Sequence, residues 1–340
     1  MRVTQQDIAR IARVSQATVS RVLAGDPKVE PSLRERVLSA MKANNYRPDV
    51  RARSLRSRRT GLIGLVVKRP QGGLTDDPFF ASLAAEIMDY LSGKPYHLCL
   101  DMATSDLGHE AVYDEMLRSR RVDGLILVES HARDERIHRL QADRFPFVLI
   151  GNPVGNRELH SVDNDNVHAG EIATRHLWEQ GFRRIGIMGG PAGITVSDDR
   201  IAGYQRALRD KQEQHLIWHS DFGSQAARAT AVDILSRPDR PDALVVLDDF
   251  MAMGVVLANR SLGRRVPRDL GLVSFNDSSL CQLVDCGLTS ISLNMRTIVR
   301  EACDKLLALL DGEEVAKRRT IVPCELKVRG SSQKTREVAA

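Results

Sequence analysis

The chain has 340 residues, 42% hydrophobic and 27% charged, an ordinary composition for a folded protein with apolar material for one large core or two. Its 49 lysines and arginines against 44 acidic residues give +5, yet the first 60 residues hold 14 against five, so a +9 head precedes a body of −4. Such a head suits nucleic acid as partner, five cysteines without a CxxC pair exclude a disulfide framework or zinc ribbon, and the lack of any 18-residue apolar run excludes a membrane span.

Residues 4 to 46 read as three short helices. Thr4 caps the first, with Asp7 completing a capping-box pattern, and Ile8, Ile11 and Ala12 mark its buried face. After the turn Arg13-Val14, Ser15 stands at an N-cap position, and Val19, Val22 and Leu23 form the next apolar stripe. That stripe leaves Gln16, Ala17 and Arg21 on an outward face. Gly25-Asp26-Pro27 ends the second helix, Pro31 opens the third, and Asn44-Asn45 closes it. The charged N-terminus lacks the apolar core of a secretion signal, so a cytoplasmic location is expected.

Residues 47 to 60, RPDVRARSLRSRRT, read as a linker whose arginines repel one another until an anion neutralises them. From residue 61 the pattern alternates between short β-rich runs (62 to 67, 97 to 101, 124 to 128, 147 to 150, 184 to 188, 243 to 247 and 271 to 275) and amphipathic helices (near 79 to 92, 108 to 119, 166 to 180, 198 to 211, 226 to 236 and 249 to 261). This is the βαβ signature of an α/β protein with parallel sheets covered on both faces. The body's 280 residues exceed one usual core, and the pattern restarts after residue 160, so two subdomains are expected.

Four pieces occur in order near the N-terminus: TxxDIA, VSxATVSRVL, a helix ending in NxYRP, and RARSL. With them the chain resembles the lactose repressor (LacI/GalR) family of bacterial transcription regulators. The resemblance runs on through DDPFFASL, RVDGLIL, HSVDNDNVHAG, HLWEQGFRRIGIMGG, DDRIAGYQRAL, ALVVLDDFMAMGVV and GLVSFNDS, essentially the whole chain. It implies an all-α helix-turn-helix head (1–46), a hinge helix or linker (47–60) and a periplasmic-binding-protein-like core (61–340). In that core the N-subdomain would cover about 61–160 and 291–321 and the C-subdomain about 161–290 and 322–330, with chain crossings near 160, 290 and 322. Departures from the family pattern are Arg13 where glycine is usual, Ala24 for a common asparagine, and Glu30 for a serine cap.

On this reading Gln16, Ala17 and Arg21 read bases: an amide fork suits adenine, a methyl suits thymine, a guanidinium suits guanine. Thr4, Ser15, Thr18, Ser20 and Lys28 contact phosphates and set register. Hinge residues Arg51, Ala52, Arg53 and Leu55 serve the minor groove, the resemblance assigning Leu55 the role of a wedge between base pairs. It further implies that Phe79, Arg200, Phe222, Asp248 and Asn276 face a small-molecule effector in the cleft. Aromatic rings with Arg, Asp and Asn suit a sugar or sugar derivative, and a nucleobase-type corepressor is the alternative, since Asn276 stands where sugar-binding members commonly carry Asp.

No GxxxxGK[ST], GxGxxG or HExxH occurs, and the nine histidines lack metal-ligand spacing, so no catalytic residue, metal or cofactor is expected. A non-DNA-binding solute receptor would lack the basic head. The expectation is a homodimer on a near-palindromic double-stranded operator, since two-fold symmetry in the protein asks for a two-fold site. The tail SSQKTREVAA carries no leucine heptads for a tetramer.

Overall fold

A computed structural model describes residues 3–23, 25–46, 59–68, 78–103, 106–156, 158–211 and 215–334. The chain divides into two compact units, Met1–Thr60 and Gly61–Ala340.

The head packs α1 (Gln5–Ile11), α2 (Gln16–Leu23) and α3 (Pro31–Ala43) around eight buried residues, among them Ile8, Val19, Val22 and Val37. So small a core buries little apolar area, which leaves the ends of these helices dependent on local caps. Thr4 supplies one: its hydroxyl accepts from the Asp7 amide while the Asp7 carboxylate accepts from the Thr4 amide. Glu30 precedes Pro31 without capping α3 through its side chain, and instead accepts from the Ser32 hydroxyl.

The body contains two six-stranded sheets. The first uses β1 (Leu62–Lys68), β2 (His97–Ala103), β3 (Gly124–Val128), β4 (Phe147–Ile150), β5 (Ser161–Asn164) and β11 (Arg319–Val322), in the spatial order β11-β5-β4-β3-β1-β2, all parallel. The second uses β6 (Ile185–Gly189), β7 (Leu216–His219), β8 (Ala243–Val246), β9 (Gly271–Phe275), β10 (Thr289–Ser292) and β12 (Glu325–Lys327), in the order β12-β10-β9-β8-β6-β7, with only β12 antiparallel. Strands β3, β6, β8 and β9 are buried along their whole length, as helices on both faces require. Those helices are α4 (Pro78–Leu91), α5 (Asp106–Arg118), α6 (Glu135–Ala142), α7 (Asn166–Glu179), α8 (Thr195–Leu208), α9 (Ser224–Ser236), α10 (Asp249–Ser261) and α11 (Met295–Asp311).

The chain crosses between sheets after β5, after β10 and between β11 and β12. Strand β5, expected in the second subdomain, therefore belongs to the first, because Ser161 and Val162 pair with Leu149 and Ile150 of β4. Residues 291 and 292, expected in the first, end β10 of the second sheet. All three crossings meet at one side chain: the buried Asn164 amide donates to the carbonyls of Leu293 (3.1 Å) and Val322 (2.8 Å).

Helices α7 and α8 pack at glycines. A Cβ on Gly203 would stand 2.0 Å from the Val167 carbonyl oxygen, and one on Gly170 would stand 2.2 Å from that of Arg200. Only glycine allows this approach, and it seats the Arg200 backbone firmly against α7.

Candidate functional site

In the head, α1 ends in a Schellman turn. The Val14 amide donates to Ala9 O (3.0 Å), the Arg13 amide donates to Arg10 O (3.2 Å), and Arg13 takes φ 51°. Glycine meets that left-handed conformation freely, whereas arginine carries a cost of about 1 kcal/mol. Arg36 of α3 pins the turn, its Nη2 donating to Ala12 O (2.6 Å) and Arg13 O (3.1 Å). Ser15 Oγ then accepts from the Thr18 amide at 3.0 Å and caps α2.

With α2 anchored by Val19 and Val22, the expected base readers Gln16, Ala17 and Arg21 are all exposed. Of the expected phosphate contacts, Thr4, Ser15 and Lys28 are exposed, while Thr18 and Ser20 are half-buried. The Ser15 and Thr18 hydroxyls bond to each other at 2.9 Å. Thr4 donates its hydroxyl to Asp7 Oδ2 (2.7 Å), and this bond, together with the Thr4 amide and Arg10, holds the Asp7 carboxyl below its usual range. Arg51, Ala52, Arg53 and Leu55 lie outside the described residues.

In the body, a cavity open to solvent lies where the carboxyl ends of strands from both sheets face each other. Phe79, Arg200, Phe222, Asp248 and Asn276 all line it. They come from separate places: Phe79 from the first turn of α4, Arg200 from α8, and the other three from positions following β7, β8 and β9. Phe79 meets Phe80 edge-on at 5.3 Å.

Arg200 is 4% exposed, with Nε donating to Asn166 Oδ1 (3.0 Å), Nη1 to Leu247 O (2.6 Å), and its guanidinium 4.1 Å from the Phe275 ring centroid. Burial pulls its pKa down to about 10 against the opposing charges of Asp248 and Asp163. Arg200 is also one of the residues that line the cavity. Asp248 caps α10, its Oδ1 accepting from the Met251 amide at 2.7 Å.

Asn276 and Asp277 are consecutive non-glycine residues at positive φ, 101° and 50°. Buried Asp249 secures this turn: its carboxylate accepts from the Ser278 amide (2.7 Å) and from the hydroxyls of Ser274 (2.5 Å) and Ser290 (2.7 Å). Ser290 Oγ in turn accepts from the Asp277 amide, and Arg329 bonds the Asp277 carboxylate at 2.7 Å. Asn276 is thus presented to the cavity by a network that offsets its backbone strain.

Sequence reasoning missed Asp163, which lines the cavity at 6% exposure. Its Oδ1 accepts from the Asn164 amide (2.8 Å) and from Asn166 Nδ2 (2.9 Å). Burial pushes its carboxyl up to about 7, aided by the charge of Asp199 and opposed by the Asn164 bond, Arg319 and Arg200. The signal was the run SVDNDN, whose first four residues form β5, polar in three places yet buried throughout. Polar residues in a buried strand are there for bonds or for a ligand. Along the rim the two halves touch: the Thr195 amide donates to Ser130 O (3.0 Å), and Asn152 Nδ2 to Asp199 Oδ2 (2.9 Å).

Among the described residues no cluster of His, Cys, Asp and Glu could hold a metal ion, and no helix is long and apolar enough to cross a membrane. Residues 4–49 match the family described as bacterial regulatory proteins, lacI family, and residues 174–332 match the periplasmic binding protein-like domain. Over 335 residues the chain is 31% identical to the HTH-type transcriptional regulator CelR of Thermobifida fusca, covering 97% of this chain and 98% of that one. The chain belongs to the LacI family. This LacI-family transcriptional regulator is also similar to a solved structure titled as a CelR-cellobiose complex, with TM-score 0.74 and 30% identity over 97% of this chain and 100% of that one. It shares its fold, at 24% identity and TM-score 0.82, with a lac repressor dimer solved on its operator with an anti-inducer, covering 98% of this chain and 99% of that chain. The relatives of this LacI-family chain are regulators, not enzymes.

Proposed function

We propose that this regulator binds a near-palindromic operator as a homodimer and that a sugar or sugar derivative in the body cavity sets its affinity for DNA. The observation that carries the effector half is convergence: five residues from widely separated segments line one cavity at the strand ends. Their chemistry suits a polyol, with Phe79 and Phe222 offering faces to C–H-rich surfaces and Arg200, Asp248 and Asn276 offering directional bonds to hydroxyls. The relative solved with cellobiose supports a carbohydrate.

For the DNA half, exposed Gln16, Ala17 and Arg21 enter the major groove while Thr4, Ser15, Thr18, Ser20 and Lys28 hold phosphates, and the hinge arginines with Leu55 serve the minor groove. Exposed Met88 of α4, Leu100 and Met102 of edge strand β2, and Leu257 and Leu283 of the second half supply apolar surface for a second copy.

Thermal-shift measurements on the full chain with cellobiose, other neutral sugars, sugar phosphates and nucleobases test the effector. A sugar at about 100 times its Kd stabilises the folded body by about 2.7 kcal/mol, and Arg200→Met removes that shift. A shift produced by a nucleobase and by no sugar overturns the sugar assignment.

A further inference from the structure

The cations of the head sort by what they touch. Arg10 pairs with Asp7 at 2.7 Å, Arg34 donates to Asp26 O at 2.5 Å, and Arg36 is committed to the carbonyls of Ala12 and Arg13. Arg21 and Lys28 have a place in the DNA reading above, and Lys42 sits in the last turn of α3, where a cation complements the helix dipole. That leaves Arg13. Its side chain is exposed, and its guanidinium has no partner among the described residues.

Its backbone holds a left-handed conformation, φ 51°, that a side chain adopts only at a cost. The turn is nonetheless over-determined, by the two Schellman bonds from below and by the Arg36 guanidinium from the side. So the conformation is imposed by the fold, and among the described residues no contact of the Arg13 side chain offsets its cost. The residue stands two positions before Ser15, the N-cap of α2, and so beside the end of that helix that carries exposed Gln16 and Ala17. A long cationic side chain fixed there is placed to meet a phosphate flanking the bases those residues face.

We infer that Arg13 is an additional DNA-phosphate contact, made where the turn before the recognition helix would accept glycine with less strain. This rests on the DNA-binding reading of the head. Since the operator is undefined, the probe is a duplex pool of random sequence, which suffices because phosphate contacts carry no sequence information.

The test compares full-length wild type, Arg13→Gly, Arg13→Asn and Arg13→Lys by the slope of log Kobs against log salt, between about 50 and 200 mM. The slope of Arg13→Gly and of Arg13→Asn is expected to shrink by about 0.9, one phosphate, while Arg13→Lys keeps the wild-type slope. Far-UV melting serves as the folding control, and both neutral variants, which tolerate positive φ, should melt no lower than wild type. Unchanged slopes in the neutral variants overturn the inference and leave Arg13 as a helix-terminal charge only. Failure of wild type itself to bind any duplex overturns the DNA reading beneath it, so the two failures are distinguishable.

Discussion

The head and the body present their functional groups in opposite ways. In the head the expected base readers are exposed on one short helix, and the caps beside them are short-range, the Ser15 cap spanning three residues and the Thr4 box likewise, with Arg36 of α3 the one longer tie, to the turn before that helix. In the body the groups are withdrawn from solvent and gathered from distant segments, so that Arg200 leans on Leu247, Asp249 on Ser290, and Asn164 on Val322, 158 residues away. A surface reader meant for a large rigid partner can be built locally on a small core. A cavity that must strip water from a small solute is assembled only when two sheets and their crossings are in place.

That contrast can be broken most sharply at Asp163. Unfolded, its carboxyl titrates near 3.8, and folded near 7, so the native state holds the proton more tightly and body stability falls as pH rises through that interval. Asp163→Asn keeps the Oδ1 acceptor without the charge, and should stabilise the body by on the order of a few kcal/mol at about pH 8 and by much less at about pH 5. Identical urea midpoints for the two proteins at the higher pH would show that the carboxylate is well solvated, contrary to a withdrawn site.

A smaller effect is expected where α7 meets α8. Gly203→Ala forces the helices apart and should cost the body about 1 to 3 kcal/mol in denaturant unfolding, leaving the head transition in place. Were stability to hold, the seating of Arg200 would be looser than the geometry states.

The smallest effect belongs to the head. Ser15→Ala removes one cap and should lower head stability by about 1 kcal/mol, read by the circular dichroism of its melting transition, with no change in the body. A shift of the body transition instead would break the separation of the two regions.

The three head helices were legible from caps and apolar spacing, because Thr4, Ser15 and Pro31 act on their own neighbours. The α/β alternation was legible too, for the strands with largely apolar runs, most of them buried on both faces and β2 at a half-exposed edge. Strands β5, β7, β10, β11 and β12 were not found, being three or four residues long, and several are polar: SVDN and TSIS carry their bonding role in Asp163, Asn164 and Ser290, and no apolar pattern reveals it. Helix α6 was passed over, and so was α11 although Ile298, Val299, Ala302, Cys303 and Leu306 recur at helical spacing, and α8 begins three residues earlier than its periodicity suggested. The five cavity residues came from the family resemblance, since nothing local to Phe79 or Asn276 says that they meet. Asp163 stayed hidden because its raised pKa depends on burial and on Asp199, both products of tertiary structure.

One amide serves as common anchor for all three connections between the halves of the body. Asn164 belongs to the first, and it grips the Leu293 carbonyl in the second and the Val322 carbonyl in the third. Three connections tied at one point favour rotation of the halves about it over sliding. The pivot lies beside the cavity, and a tilt of a few degrees there becomes a displacement of ångströms at the far ends of the sheets. On the proposed function, leverage of this kind is what would let a solute of modest size move a large surface.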